Sequence, residues 1–155
     1  MNKPFFSVIV PAHNAAGRIR KLLDSIKMQT FDDYEVIIVC DDCQDGTAEI
    51  AAEYVDNAFP QGQVLEVGWH NCGKTRNAAL ELANGEWVLF SDDDDWWRED
   101  TAFANFHSER RDCSRHSIPP GEDDSNWCVG HLAKAPNRSS RPVAILPPVA
   151  KQSNR

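Results

Sequence analysis

Apolar residues along this chain fall into short runs that are separated by stretches with a helical period. Four of these runs are rich in β-branched or aromatic side chains and predict buried strands, because such runs suit a sheet that is covered on both faces. The predicted strands are Phe5 to Val10, Tyr34 to Cys40, Val64 to Val67 and Glu86 to Phe90.

The stretches between the runs predict helices. In the first stretch, Ile19, Leu22, Leu23 and Ile26 fall at i, i+3, i+4 and i+7 and form one apolar stripe. Asn14 is expected to cap this helix. A second helix should open at Gly46 and Thr47, and a third should run from Arg76 to Ala83 and end at Asn84-Gly85. Strands that alternate with helices predict an α/β fold with a mainly parallel sheet and flanking helices.

The pattern fades after Trp97. Residues 98–155 contain six of the nine prolines and little apolar sequence apart from PVAILPPVA. So little apolar surface does not offset the entropy that is lost on ordering, and we therefore predict a poorly ordered tail. The predicted division is an α/β domain over residues 1–97 and an irregular tail over residues 98–155.

Charge and composition narrow the classes of function. The chain has 155 residues and a net charge of −8, whereas binding to nucleic acid requires a basic surface, so we expect no nucleic-acid partner. No apolar run approaches the roughly 20 residues that span a bilayer, so no transmembrane segment is predicted. We expect a cytoplasmic protein, with peripheral attachment to the inner face of the membrane as a second option. Five cysteines, an odd number, fit free thiols better than a disulfide framework.

Acidic residues cluster directly after the fourth predicted strand. Asp92 to Asp95 are consecutive, and like charges this close repel one another unless a cation neutralises them. Carboxylates, together with water and ligand phosphates, form the oxygen shell that Mg²⁺ or Mn²⁺ prefers. We favour a divalent cation site, because the run follows a buried strand and precedes Trp96 and Trp97. The alternative is a solvated acidic turn.

Polar residues also follow the first two strands, at the edge where ligands bind to open parallel sheets. After the second strand, Asp41 or Asp42 could accept hydrogen bonds from a nucleobase or a ribose. Either could instead cap the helix that follows, and capping is the simpler interpretation of Asp45. His13, after the first strand, could stack on a base or could be an ordinary loop histidine.

The segment GWHNCGKT matches the phosphate-binding pattern G-x-x-x-x-G-K-[ST] at Gly68, Gly73, Lys74 and Thr75. A predicted strand precedes the segment, a helix follows it, and an aspartate ends the next strand, as in P-loop nucleotide hydrolases. Trp69 and His70 speak against this interpretation, because they are bulky in a loop whose N–H groups must approach phosphates closely. A P-loop over residues 68–75 is therefore an alternative.

Five blocks of the sequence occur in a fixed order over about residues 5–97: FSVIVPAHN, QTF (Gln29 to Phe31), VCDDCQDGT, GKTRNAALELANGEW and LFSDDDDWW. Together these blocks resemble the nucleotide-binding half of the family 2 glycosyltransferases, which are inverting enzymes with the GT-A fold. The resemblance implies a Rossmann-like GT-A fold. It also implies transfer of a sugar from a nucleotide-sugar, most commonly a UDP-sugar, to a glycan or lipid-linked acceptor.

The same resemblance implies roles for individual residues. It places the nucleotide-sugar site at Pro11, His13, Asn14, Asp41, Asp42, Lys74, Arg76, Asp92 and Asp93. Asp92 and Asp94 would hold Mn²⁺ or Mg²⁺, which would stabilise the charge on the leaving nucleoside diphosphate. An acceptor hydroxyl, deprotonated by a carboxylate, would then attack the anomeric carbon and invert it. The family's V-D-D-G-S-T-D-G-T motif is altered here at Cys40 and Asp42, so either Asp41 or Asp42 could face the base.

The tail departs from the family, in which well over a hundred residues follow the metal motif, whereas 58 follow Trp97 here. We expect a truncated or out-of-frame end, or a degenerate remnant, and we identify no catalytic base. The resulting hypothesis is a chain that binds a nucleotide and a metal but transfers sugar poorly. A non-catalytic binding or regulatory module is the alternative. The tail also carries the spacing of a zinc site at Cys113, His116, Cys128 and His131.

Overall fold

A computed structural model describes residues 3–109 and 131–134 of the chain. The strands are β1 (Phe6–Ala12), β2 (Tyr34–Asp41), β3 (Gln63–Val67), β4 (Trp87–Phe90) and β5 (His131–Lys134). The helices are α1 (Ile19–Lys27), α2 (Thr47–Ala58), α3 (Cys72–Leu82) and α4 (Ala102–Glu109). The strands form one sheet in the order β3-β2-β1-β4-β5, in which only β5 is antiparallel to its neighbour among the described strands.

Strand β1 lies at the centre of the sheet, and all seven of its residues are buried. Because successive side chains of a strand point to opposite faces, β1 contributes to two cores. Val8 and Val10 pack with α1, α2 and α4 on one face, whereas Ile9 packs with α3 on the other. The predicted α/β fold with a mainly parallel sheet is thus confirmed, and the apolar runs are continuous because both faces are covered.

Helix α1 confirms the predicted stripe but not the predicted cap. All four stripe residues, from Ile19 to Ile26, are completely buried. The helix begins at Ile19, after a turn in which the Ala15 carbonyl accepts the N–H groups of Arg18 and Ile19 at 2.9 and 2.8 Å. Asn14 does not cap α1; it has a φ of 45°, and its side-chain oxygen accepts the N–H of Gln44 at 2.8 Å. The amide of Asn14 therefore joins two loops, because that tertiary partner lies within reach and the helix end does not.

Helix α3 begins at Cys72, one turn earlier than the predicted start at Arg76. The side chain of Asn71 caps it by accepting the N–H of Lys74 at 3.0 Å. The first turn, CGKT, carries no large apolar residue, so hydrophobic periodicity alone does not reveal it.

A buried carboxylate closes the connection between α3 and β4. Glu35 is 4% exposed and accepts the Ser7 hydroxyl at 2.6 Å and the Asn84 N–H at 2.5 Å. Gly85 packs so closely against β1 that an added Cβ would lie 2.5 Å from the Ser7 nitrogen. The Asn84-Gly85 pair therefore ends the helix as predicted, and its glycine is required by space.

The structure adds two elements beyond residue 97 that the sequence pattern did not predict. In α4, the side chain of Phe103 is fully buried, with its ring centroid 5.0 Å from that of Trp97 and 5.3 Å from that of Tyr34. Strand β5 pairs with β4 in antiparallel register, Phe90 opposite His131. Helix α4 was missed because it is short and because its buried Phe103 packs against Phe6 and Tyr34 from distant segments as well as against the nearby Trp97.

The zinc site and the poor order that we predicted for the tail both remain predictions. Three of the four residues in the predicted zinc site, Cys113, His116 and Cys128, lie outside the described residues, and so does the rest of the tail apart from residues 98–109 and β5. Within the described ranges, no helix has both the length and the apolar character that crossing a membrane requires.

The close contact at Gly85 leads to a first prediction. We expect Gly85→Ala to reduce the free energy of unfolding by about 1–3 kcal/mol, because the new methyl group meets backbone that cannot move aside. Gly17→Ala is the matched control, since an added Cβ there meets nothing within 4 Å. Urea unfolding of both variants tests this, and equal stabilities would contradict the packing described.

The burial of Phe103 leads to a second prediction. Phe103→Ala should destabilise the protein by about 3–5 kcal/mol, because it leaves a cavity among aromatic side chains. Met28→Ala, at a side chain that is 68% exposed, should change stability by less than about 0.5 kcal/mol. A small loss in Phe103→Ala, measured by urea unfolding, would mean that α4 is not part of the folded core.

Candidate functional site

A cleft of about 410 Å³ opens at the carboxyl ends of β1, β2 and β4. The chain continues from β1 to β2 on one side, and β4 lies on the other side of β1, so the loops diverge at this point. The cleft is lined by Pro11, Ala12, His13, Asp41, His70, Asn71, Cys72, Thr75, Arg76, Asp92, Asp93 and Asp94.

The Asp41 carboxylate holds one wall of the cleft in place. Its Oδ1 atom accepts the backbone N–H groups of Trp69 and His70 at 2.6 and 2.9 Å. Its Oδ2 atom accepts the N–H of Asn71 at 2.8 Å and the hydroxyl of Thr75 at 3.0 Å. Burial raises the pKa of Asp41, but these four donors outweigh it and lower that pKa below its ordinary value. Asp41 is therefore ionised and occupied on both oxygens.

This contact argues against the P-loop alternative. A P-loop binds phosphate through backbone N–H groups that face an open space. Here the N–H groups of residues 69–71 are donated to the carboxylate of the chain itself. Lys74 is exposed and is absent from the lining of the cleft. The segment is an anion-binding loop whose anion is Asp41.

His13 is oriented by its neighbours at the mouth of the cleft. Its Nδ1 lies 2.5 Å from the carbonyl oxygen of Asp41, which can only accept, so the ring proton is assigned to Nδ1. The Nε2 atom is then an acceptor, and the side-chain amide of Asn14 donates to it at 3.2 Å. A ring that is fixed in this way offers an aromatic face to the cleft without further ordering.

Three residues in the left-handed region of backbone space surround the cleft: Asn14, Asp42 and His70, with φ of 45°, 51° and 48°. Non-glycine residues rarely adopt this conformation, although Asn, Asp and His tolerate it best. Asp42 pairs with His70 through Oδ2 and Nε2 at 3.0 Å, which links the β2 loop to the loop before α3. The strain is concentrated in the loops that surround the site, a distribution common at ligand-binding positions.

The four consecutive aspartates have separate environments. The side chain of Asp93 is 13% exposed and accepts the His13 N–H at 3.0 Å and the Arg18 Nε–H at 2.9 Å. Burial, followed by the charges of its neighbours, raises the pKa of Asp95. Asp92 is half-exposed and pairs with Arg76 at 2.5 Å. Asp94 is exposed, and its carboxylate accepts no hydrogen bond and forms no ion pair with the described residues.

The arrangement fits a divalent cation only if a ligand contributes as well. Asp92 and Asp94 bring hard carboxylate oxygens to the cleft. Among the described residues, no group of three or more His, Cys, Asp or Glu side chains could hold a metal ion. Mg²⁺ and Mn²⁺ are commonly bound by one or two carboxylates together with water and substrate phosphates, so the donor set is compatible with such an ion. The buried Nε of Arg76 has no hydrogen-bond partner in the described part of the chain.

Cys40 occupies the position of the first aspartate in the V-D-D-G-S-T-D-G-T motif. It is 1% exposed, and burial raises the pKa of its thiol, so the group is neutral. The thiol of Cys43 lies 3.5 Å from the carbonyl oxygen of Ala12, and Ala12 is the β1 residue that pairs with Cys40. A small neutral side chain therefore packs in the hydrophobic core at this position.

The structure brings most of the predicted site residues together. Those lining the cleft are Pro11, His13, Asp41, Arg76, Asp92, Asp93 and Asp94; Asn14, Asp42 and Lys74 are not among the lining residues. Sequence reasoning missed His70, Asn71, Cys72 and Thr75, which also line it. The signal in the sequence that could have identified them is their position, between a strand and a helix at the ligand-binding edge of the sheet.

Comparison with known proteins identifies the family. Residues 7–141 match the sequence model described as glycosyl transferase family 2. The chain is 38% identical to the putative glycosyltransferase EpsH of Bacillus subtilis over 102 residues, which are 64% of this chain and 29% of EpsH. It is 40% identical to the poly(ribitol-phosphate) beta-N-acetylglucosaminyltransferase TarS of Staphylococcus aureus. This match extends over 98 residues, which are 62% of this chain and 17% of TarS. The chain thus spans less than a third of these relatives.

Solved structures show the same fold. Residues 1–349 of S. aureus TarS in complex with UDP-GlcNAc match with a TM-score of 0.62 and 35% identity, covering 69% of this chain and 31% of that one. The mannosyltransferase PcManGT from Pyrobaculum calidifontis, in complex with GDP-Man and Mn²⁺, matches with a TM-score of 0.61 and 30% identity, covering 68% and 32%. These matches confirm the expected GT-A fold. The chain belongs to glycosyl transferase family 2.

Proposed function

We propose that the cleft binds the nucleotide-sugar donor of a glycosyl transfer reaction, and that this donor is a UDP-sugar. The observation that carries the proposal is the division of roles in the acidic turn. Both carboxylate oxygens of Asp93 accept hydrogen bonds from the protein, whereas Asp92 and Asp94 are exposed at the cleft. The UDP-GlcNAc complex of TarS and the Mn²⁺ complex of PcManGT support this proposal by similarity.

We assign the base end of the donor to the region around Pro11 and His13. The His13 ring is held by two hydrogen bonds, and Pro11 and His13 both line the cleft. Asp41 has a different role from the one implied by the family resemblance. A carboxylate has about four acceptor positions, and protein donors occupy all of them here, so we infer that Asp41 shapes the pocket wall.

We assign the diphosphate end to Arg76 and the acidic turn. Asp92 and Asp94 would hold Mn²⁺ or Mg²⁺, which would supply charge neutralisation for the leaving nucleoside diphosphate. The Arg76 guanidinium lines the cleft and pairs with Asp92, so its positive charge lies beside the assigned diphosphate position. Arg76 would thereby orient the diphosphate.

The extent of the activity is a separate proposal. No described residue is assigned as the base that deprotonates an acceptor, and the chain spans less than a third of TarS or EpsH. We propose donor binding with little sugar transfer by this chain alone, with a glycan or lipid-linked molecule as the acceptor of the intact enzyme. A non-catalytic binding module is the second candidate. A transfer assay with purified chain and radiolabelled UDP-sugars separates these proposals from a fully active enzyme. We also propose a cytoplasmic location.

Calorimetric titration tests donor binding. We expect UDP to bind in the presence of Mn²⁺, and Asp94→Asn to weaken that binding at least about tenfold, because one of two exposed carboxylates loses its charge. Asp56→Asn is the matched control, since it removes the same charge from an exposed position on α2 outside the cleft. Wild-type affinity in Asp94→Asn would refute the assigned metal pair.

Tight ATP binding that is lost in Lys74→Ala would instead restore the P-loop alternative.

The inferred role of Asp41 is tested by stability. Asp41→Asn should lower the free energy of unfolding at pH 7 by about 2–3 kcal/mol, because an amide cannot accept from all four donors. The pKa of Asp41 is lower in the folded chain than its ordinary value of 3.8, so its ionised form favours folding. This stabilisation is complete above the ordinary pKa and is lost as the pH falls through the lowered one.

The difference between wild type and Asp41→Asn in urea unfolding should therefore shrink below pH 3.8. Asp56→Asn is the control for stability, because it removes the same charge from an exposed position on α2. A difference that stays constant from pH 7 to pH 3 would show that the Asp41 charge does not matter.

A further inference from the structure

Arg18, at the start of α1, contacts three acceptors from two different loops. Its Nε donates to the Asp93 carboxylate at 2.9 Å. Its two terminal nitrogens donate to the backbone carbonyls of Asn14 and His13 at 3.2 and 3.3 Å. No motif that we identified in the sequence includes this arginine. The guanidinium thus joins the acidic turn to the loop after β1.

Asp93 completes the connection from the other side. Its Oδ1 faces Arg18, while its Oδ2 accepts the backbone N–H of His13 at 3.0 Å. Both oxygens are engaged with the loop after β1, although the neighbouring Asp92 and Asp94 are exposed. The contacts of Asp93 therefore set the distance between His13, at the assigned base end of the cleft, and the two exposed carboxylates.

Electrostatics gives Arg18 a second effect at the same place. Four adjacent carboxylates repel one another, and the repulsion favours a splayed turn. Arg18 neutralises Asp93, and Arg76 pairs with Asp92. These are the two arginines that form ion pairs with the turn within the described residues. Arg18 therefore reduces the repulsion while it stays outside the lining of the cleft.

We propose that Arg18 is a positioning residue for donor binding: acting through Asp93, it holds the acidic turn and the His13 loop at the spacing that a nucleotide-sugar requires. This inference rests on the proposed function. Arg18 does not touch the donor; it preorganises residues that do, so the donor does not have to order two loops on binding.

A nearby arginine shows that these contacts are particular to Arg18. Arg20 pairs with Glu53 at 3.1 Å, and the two side chains are 51% and 58% exposed. That pair joins two helices at the surface and involves one carboxylate and no backbone carbonyl. Exposed ion pairs of this kind contribute little to stability. Arg20→Ala is therefore a matched control for Arg18→Ala.

The first test is calorimetric titration with UDP and Mn²⁺. We expect Arg18→Ala to weaken UDP binding about tenfold and Arg20→Ala to change it less than about twofold. Arg18→Lys should recover part of the loss, because an ammonium group restores the charge beside Asp93 but cannot reach both carbonyls as a guanidinium does. Wild-type affinity in Arg18→Ala would overturn the proposal.

A double-mutant cycle tests the route through Asp93. In an Asp93→Asn background, adding Arg18→Ala should weaken UDP binding by less than about threefold, because the partner charge is already gone. A full additional tenfold loss would mean that Arg18 acts independently of Asp93, which would overturn the mechanism.

A measurement that needs neither nucleotide nor metal separates the positioning contact of Arg18 from donor binding. Hydrogen exchange at the His13 amide should be faster in Arg18→Ala than in wild type and unchanged in Arg20→Ala, because Asp93 is no longer held against that amide. Unchanged exchange in Arg18→Ala would overturn the positioning contact itself. If exchange responds as expected but wild type does not bind UDP with Mn²⁺, the proposed function fails, and with it the link from Arg18 to donor binding.

Discussion

The cleft depends on one internal charge, the carboxylate of Asp41. Backbone N–H groups at residues 69–71 all point to it, which organises the loop before α3 and places Thr75 and Arg76. A loop with this many aligned N–H groups attracts anions. In P-loop proteins the anion is a phosphate; here it belongs to the adjacent strand. The sequence similarity to a P-loop thus has a physical basis, although the function differs.

A second constraint is the concentration of negative charge at the end of β4. Binding a cation needs exposed carboxylates, but an ordered turn needs their repulsion reduced. In this chain, adjacent aspartates of the turn have different partners. Asp93 is held by Arg18 and the His13 amide, whereas Asp94 remains exposed. The fold thus fixes the Asp93 side chain and leaves the Asp94 side chain exposed at the cleft.

Much of this architecture was predictable from the sequence. Strand β1 and the stripe of α1 were predictable because their apolar periodicities are strong and local. The acidic turn was predictable because four adjacent carboxylates need an explanation wherever they fold. Asn14 was predicted wrongly as a cap, since its partner Gln44 lies 30 residues away. Helix α4 was missed because its anchor, Phe103, packs against Phe6 and Tyr34 from distant segments as well as against the nearby Trp97.

The sequence by itself determined the α/β class, the edge of the sheet that carries the site, and the family. These follow from local periodicity and from ordered motifs, which are properties of residues that are close together in the chain. Only the tertiary structure decided which of the aspartate carboxylates are occupied by donors from the protein itself. Asp41 and Asp42 are adjacent residues of the same type, and so are Asp93 and Asp94. Asp41 differs from Asp42 because it accepts N–H groups from the loop at residues 69–71. Asp93 differs from Asp94 because it accepts hydrogen bonds from Arg18 and the His13 amide. The role of a carboxylate depends on whether its oxygens are already occupied, and that depends on which segments the fold brings next to it.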